Sequence, residues 1–308
     1  MTDANLPEPP ELPRGIALAW GVAANPQRGP KREMSVERIV ETAIELADAE
    51  GLGAVSMAAV AARLGFTPMS LYRYVSAKDD LLLLMQEEAI GPPPEEFREQ
   101  DGWRAQLRLL FEAQARVYLE HPWLVALPIS GAPVTPNSSA WLDASLESLA
   151  ATPLEETERV AVALGITGQA RWFGIVVAGY ASRAREAGAS ADEVSAQEAV
   201  LFDRVVTAEE VPALRRAIDA GVFTADDDPF RFAVERLLDG VESFVEARSR
   251  GEERPTPDAP LDADLDLAGE KKVREASRAV REAEKALRAA RKAERQVLRE
   301  ARERARRS

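Results

Sequence analysis

The chain has 308 residues, 46% of them apolar and 30% charged, with a formal net charge of −13 and no cysteine. That length suits two domains with a sizeable core, and the lack of cysteine excludes disulfides and zinc–thiolate sites, which fits a reducing, cytoplasmic setting. No run of the length of a membrane span and no signal peptide is expected, hence no membrane partner.

The charge is uneven. Residues 271–308 hold 15 Lys/Arg and 6 Asp/Glu, net +9, whereas residues 1–270 hold 24 and 46, net −22. Residues 1–30 contain six prolines and little apolar periodicity, which predicts a mostly disordered arm. Within it, residues 15–20 are apolar enough to dock on the body. Gly29, Pro30, Lys31 and Arg32 either reach a minor groove or phosphate or form a solvated linker.

Residues 31–91 read as one helical domain. Ser35 caps a segment whose Val36, Ile39, Val40, Ala43 and Ala47 recur at helical spacing, closed by Gly51. Ser56 caps a shorter helix from Met57 to Leu64, with Val60, Ala61 and Leu64 inward. Gly65 and Phe66 turn the chain into a third helix, with Thr67 as N-cap and Pro68 at the first helical position. Leu71 and Val75, four apart, should point inward, leaving Met69, Ser70, Tyr72, Arg73 and Tyr74 on the outer face. Ser76 is expected to cap the next helix, which carries Lys78 at its start and stops at Gly91.

Helix, helix, short turn, helix is the helix-turn-helix layout, whose second paired helix enters the major groove. Arg73 can fork onto guanine or clamp a phosphate, and Ser70, Tyr72 and Tyr74 can bond phosphates or base edges. The same Tyr-Arg-Tyr surface also suits a protein interface. Residues 31–90 carry 6 basic and 10 acidic groups, so attraction to DNA must come from local placement. Weak non-specific binding by the chain follows, with most of its affinity expected to be site-specific.

Three segments carry a family resemblance: IVETAIELADAEG at 39–51, VAARLG at 60–65 and MSLYRYVSAK at 69–78. The last, with Leu71, Tyr72, Val75 and Lys78 at their spacing, is the most specific. Residues 33–91 resemble the DNA-binding domain of the TetR family of transcriptional regulators. The resemblance implies operator contacts at Ser70, Tyr72, Arg73, Tyr74 and Lys78, to which position adds Ser56, Thr67 and Met69. One departure is Ala58, where the family's second helix often carries a base-reading arginine.

Residues 101–250 alternate helical apolar patterns with Pro/Gly breaks, and nothing alternates as a strand, so the fold class is all-α. Helices are expected from Trp103 to a stop at His121 and Pro122, at about 139–150, 154–185, 197–205, 211–220 and 229–249. A Pro/Gly/Ser-rich loop should occupy 128–138, and a polar break 186–196. Trp103 together with residues 118–124 (YLEHPWL) resembles the tetracycline-repressor-like ligand domain. This implies an unknown small-molecule effector and a homodimer through the helices near 154–185 and 229–249, hence a palindromic operator. Candidate pocket residues are Trp103, Phe111, Tyr118, Trp123, Trp141, Trp172 and Phe173, each of which is also an ordinary core position at helical spacing. His121 is expected to cap a carbonyl and makes a poor metal site alone. Pro128 stands where the tetracycline-binding members have a metal-coordinating histidine, which argues against a magnesium–tetracycline effector.

Residues 251–269 read as a linker and 270–308 as a charged helical tail, either a thin two-stranded coil or a solvated helix that folds back on the acidic body or holds DNA phosphates. No phosphate loop, nucleophile elbow or metal-spaced cluster is present, so neither catalysis nor a cofactor is expected. Two functions stand against each other: a sequence-specific regulator, released from its operator by an effector, or a helical module binding an acidic protein partner.

Overall fold

The structure, a computed structural model, describes residues 12–22, 34–129, 131–132, 134–222, 228–252 and 270–307. Twelve α-helices and no strand occur among the described residues, in two compact units, Met1–Glu252 and Glu253–Ser308. The stretch 29–32 and the linker 253–269 lie outside the described residues.

In the first unit, α1 (Arg14–Ala19) precedes α2 (Val36–Glu50), α3 (Met57–Leu64), α4 (Pro68–Leu71) and α5 (Lys78–Ile90). Local chemistry sets these bounds. The Ser35 hydroxyl accepts from Arg38 N at 3.2 Å and Ser56 from Ala59 N at 3.1 Å, each satisfying an orphan donor of the first turn. Gly65 ends α3 in the left-handed region, φ 77°, so that Phe66 N–H can bond back to Ala61 O at 2.9 Å.

A core of Ile39, Val40, Ala43, Val55, Val60, Leu71, Val75, Leu81 and Met85 holds α2 to α5 together. Leu71 and Val75 have no exposed surface. They anchor α4, a single turn that could not hold itself. Trp123, Leu124 and Leu127, distant in sequence, complete the same core. The N-terminal arm is not wholly loose: α1 packs on α5, Gly15 N–H donates to Asp80 Oδ1 at 3.1 Å, and Trp20 Nε1 to Val134 O at 2.8 Å.

After a 3₁₀ turn at Glu95–Glu99 come α6 (Gly102–Glu120), α7 (Pro136–Leu149), α8 (Glu156–Ala187), α9 (Ala191–Val205), α10 (Pro212–Asp219) and α11 (Pro229–Ser249). A second core of Phe97, Leu107, Leu110, Phe111, Trp141, Leu149, Ile166 and Leu238 joins α6, α7, α8 and α11. Alpha-6 and α8 approach so closely that a Cβ on Gly174 would lie 2.7 Å from Tyr118 Cβ and Cγ.

Several expectations are corrected. Alpha-5 starts at Lys78 with Ala77 at its N-cap, so Ser76 does not cap it. Alpha-7 starts at Pro136 rather than near 139, because the proline takes the first helical position after an extended Thr135. The polar stretch 186–196 is mostly helix. Gly188 (φ 61°) ends α8, and a reciprocal capping box between Ser190 and Glu193 starts α9 at once. Alpha-8 also corrects the expectation about membrane-length runs, since it is long and apolar enough to cross a membrane by length and composition. Its small and apolar residues instead divide between the second core and an outer stripe.

The second unit is α12 (Lys271–Arg307), 37 residues without Gly or Pro.

Candidate nucleic-acid interface

Alpha-3 and α4, joined by the turn at Gly65–Thr67, present the surface singled out by composition. Met69 is 73% exposed and Tyr72 45%; Thr67, Arg73 and Lys78 are also exposed, and Ser56 and Ser70 partly so. Arg73 and Lys78 have no carboxylate partner among the described residues, so their charges face solvent unneutralised. Thr67 sits at the N-cap position of α4 without a side-chain capping bond; its Oγ1 lies 3.0 Å from Ser70 Oγ instead.

Tyr74 departs from expectation. It is only 8% exposed and belongs to the first core. The chain leaves the helix after Leu71, Tyr74 N–H bonds Leu71 O at 2.8 Å, and this tighter turn rotates Tyr74 inward beside Val75. The outward set is therefore Met69, Ser70, Tyr72 and Arg73, bordered by Thr67 and Lys78. It is a compact patch of one cation, one phenol, hydroxyls and a thioether, suited to phosphate oxygens and base edges.

The same unit ties this surface to the larger helical body at three joints. Asp48, on α2, accepts from Trp123 Nε1 at 2.7 Å and lies 2.9 Å from His121 Nδ1. His121 thus turns its ring to a carboxylate, and the expected carbonyl cap is not made. Glu87, buried on α5, receives Asn137 N through Oε1, and its carbonyl accepts from Asn137 Nδ2 at 2.9 Å. Arg171 of α8 donates to Val125 O at 3.0 Å and Leu127 O at 2.6 Å, fixing the segment that carries Trp123. These joint residues escaped sequence reasoning because their partners lie 44 to 75 positions away; no local pattern announces them.

The seven aromatic pocket candidates are not gathered in one place. Phe111 and Trp141 lie in the second core, with Trp103 and Tyr118 at its edge. Trp123 belongs to the first core. Trp141 Nε1 donates to Gly91 O at 2.9 Å, so both buried indoles are satisfied by protein groups. Trp172 is 56% exposed on the outer side of α8. Phe173 meets Phe230 edge-on, centroids 5.2 Å apart. Burial pushes the Tyr118 hydroxyl above its ordinary pKa, with Arg171 acting in opposition. No group of three or more potential metal-ligating side chains occurs among the described residues.

Comparison with known proteins decides the family. The model described as "Bacterial regulatory proteins, tetR family" matches residues 39–85, and that described as "Tetracyclin repressor-like, C-terminal domain" matches 94–245. The HTH-type transcriptional repressor DrrR1 of Streptomyces coeruleorubidus is 32% identical over 246 residues, 80% of this chain and 90% of that protein. The chain belongs to the TetR family. An HTH-type transcriptional repressor of Mycobacterium tuberculosis is 25% identical over 232 residues, covering 73% of this chain and 86% of the other. In fold, it resembles the Streptomyces coelicolor TetR family protein ActR in complex with actinorhodin. That likeness has a TM-score of 0.55 and 22% identity, over 69% of this chain and 97% of that one.

This TetR-family chain is a DNA-binding transcriptional regulator of all-helical fold, in a family of regulators rather than enzymes. Membership gives the exposed Tyr-Arg surface its context and removes the ground for the protein-interaction alternative. The first family match spans α2 to α5 and the second runs from the 3₁₀ turn at Phe97 into α11. Helices α1 and α12 fall outside both.

Proposed function

We propose that this regulator binds a palindromic operator as a cytoplasmic homodimer, acts as a repressor without catalytic activity, and is released by a small organic effector. The observation that carries the reading is α4. Leu71 and Val75 are wholly buried while Arg73 and Tyr72 project from the same short segment with no carboxylate partner on the arginine. Met69, Ser70, Thr67, Lys78 and, at the edge, Ser56 complete the proposed contact set, and Tyr74 supports it from beneath.

The homodimer is supported by what α8 and α11 leave uncovered. Leu164, Trp172 and Ile175 on α8 and Phe232 on α11 are exposed, and Gly168, Gly179 and Gly240 open onto empty space. Apolar and small side chains on two long neighbouring helices suit an isologous four-helix contact, which spaces two reading helices about one DNA turn, roughly 34 Å, apart. We read the apolar length of α8 in this way rather than as a membrane span.

For the effector we propose the region where α6, α8 and α11 meet. Tyr118 lies against Gly174, next to Phe173 and its partner Phe230, with Arg171 as the polar group. An occupant there would shift α6, which leads directly into the Trp123 segment held by Asp48, and so change the spacing of the reading heads.

Selection of sites from random duplex DNA tests the proposal. The full-length protein should enrich paired half-sites, and Arg73→Ala should lose that enrichment while remaining helical and dimeric. Equal enrichment by the variant, or none by the parent, overturns it.

A further inference from the structure

We infer that α12 is a second, sequence-independent contact to duplex DNA, holding backbone phosphates along one basic stripe; the inference rests on the operator-binding reading above. Lys or Arg occupies positions 274, 278, 281, 285, 288, 292, 295, 299, 302 and 306, in unbroken steps of four and three. Such steps keep to one side of an α-helix and drift only slowly around it. All ten positions fall within the single helix Lys271–Arg307. At 1.5 Å per residue the line runs about 48 Å, with one cation every ~5 Å. Eight of the ten are arginine, whose planar fork matches phosphate oxygens.

The described part of the stripe is available to a partner. Arg274, Arg281, Lys285 and Arg288 are exposed and have no carboxylate partner among the described residues. Arg278 pairs with Glu282 at 3.1 Å, but both side chains are largely exposed, and such a pair exchanges readily for a phosphate. Of the six glutamates, the positions of Glu294 and Glu300 lie away from the stripe, whereas those of Glu275, Glu282, Glu284 and Glu303 flank it.

The choice of partner follows from charge and from the far face. On nearly the opposite side of the helix from the basic line run Val273, Ala276, Val280, Ala283, Leu287 and Ala290, a face with no aromatic residue and too thin to enter a lipid interface. The reading block at 31–90 is net acidic, with 6 basic against 10 acidic groups, and so releases few counterions on meeting DNA. The stripe supplies that missing term. It lies beyond residue 245, where the second family match ends, so this chain's phosphate grip is an addition to the family's reading head.

The test compares the full-length protein with a variant carrying Arg274→Gln, Arg281→Gln, Lys285→Gln and Arg288→Gln. Glutamine keeps helix propensity, and circular dichroism verifies that it has done so. Binding to the selected operator and to a scrambled duplex is measured over a salt series. The slope of log affinity against log salt should fall by about 3 to 4, near 0.9 per lost phosphate contact. Scrambled-duplex binding should fall at least tenfold, and preference for the operator should survive. An unchanged slope with the operator still preferred overturns the stripe alone, including the case where it grips the acidic body and the variant merely melts earlier. Absence of any operator preference in the parent protein overturns the regulator reading instead.

Discussion

Gly174 shows how one hydrogen atom fixes the geometry of the effector domain. Replacing glycine by alanine inside a helix ordinarily gains up to about 1 kcal/mol. Here the new methyl would lie 2.7 Å from Tyr118 Cβ and Cγ, atoms near the backbone of α6 that cannot swing aside. Overpacking of this kind costs about 1–3 kcal/mol. Gly174→Ala should therefore lower the thermal midpoint and disturb the Tyr118 environment; a raised midpoint would show that α6 and α8 are free to separate. Arg73 is the opposite sort of residue, with little packing to lose. Its removal should affect recognition and spare stability, whereas Leu71→Ala should cost about 2–5 kcal/mol and lose binding only because α4 loses its anchor.

Between elements, the strongest polar tie runs from α6 to α11. Arg104 reaches Glu235 at 2.8 Å and Glu242 at 2.7 Å and also bonds Asp239, while Arg108 forks onto Glu235. Hydrogen bonding from Arg108 foremost, aided by Arg104 and opposed by partial burial, lowers the Glu235 pKa from 4.5 to about 2. A carboxylate whose folded pKa is depressed stabilises the fold fully above its unfolded pKa. That contribution wanes as pH falls below about 4.5 and is gone below about 2. The urea midpoint should therefore drop through this window, and Glu235→Gln should flatten that part of the profile; an equal drop in the variant would assign it to other carboxylates. How much of these elements was legible beforehand depends on whether the signal was local. Serine caps and glycine stops placed α2 and α3 nearly to the residue, and a run free of Gly and Pro did the same for α12, because each signal is local. The capping box at Ser190 and Glu193 was equally local, but a polar surface masked it. Tyr74 misled because helical periodicity was extended past the point where the helix stops at Leu71. The joints at Asp48, Glu87 and Arg171 rest on tertiary proximity, which one sequence does not display.

At the scale of the whole molecule, the proposed function needs two copies in register. The exposed stripe on α8 and α11 is where they should meet, since Leu164 and Phe232 are 62% and 63% exposed and the Phe232 ring is covered among the described residues only by the Arg236 guanidinium, 5.1 Å from its centroid. Paired substitution of Leu164→Glu and Phe232→Glu should give a helical monomer by sedimentation, with operator affinity reduced at least a hundredfold because each half-site is then held singly. A variant that stays dimeric would place the two-fold contact elsewhere. The two units are unlike in charge. An acidic body repels stray polyanions and leaves specificity to a few exposed side chains, while the basic terminal helix lends adhesion without sequence preference.

The short helix α1 has a practical consequence for handling the protein. Gly15 rests on Asp80 at the first turn of α5, and Trp20 pins the 134 carbonyl of the segment leading into α7, so the opening residues brace the connector between reader and sensor. Trimming the gene to begin at α2, or cleaving an affinity tag past residue 20, would strip away that brace. Preparations shortened in this way would report on a looser transmission than the full polypeptide possesses.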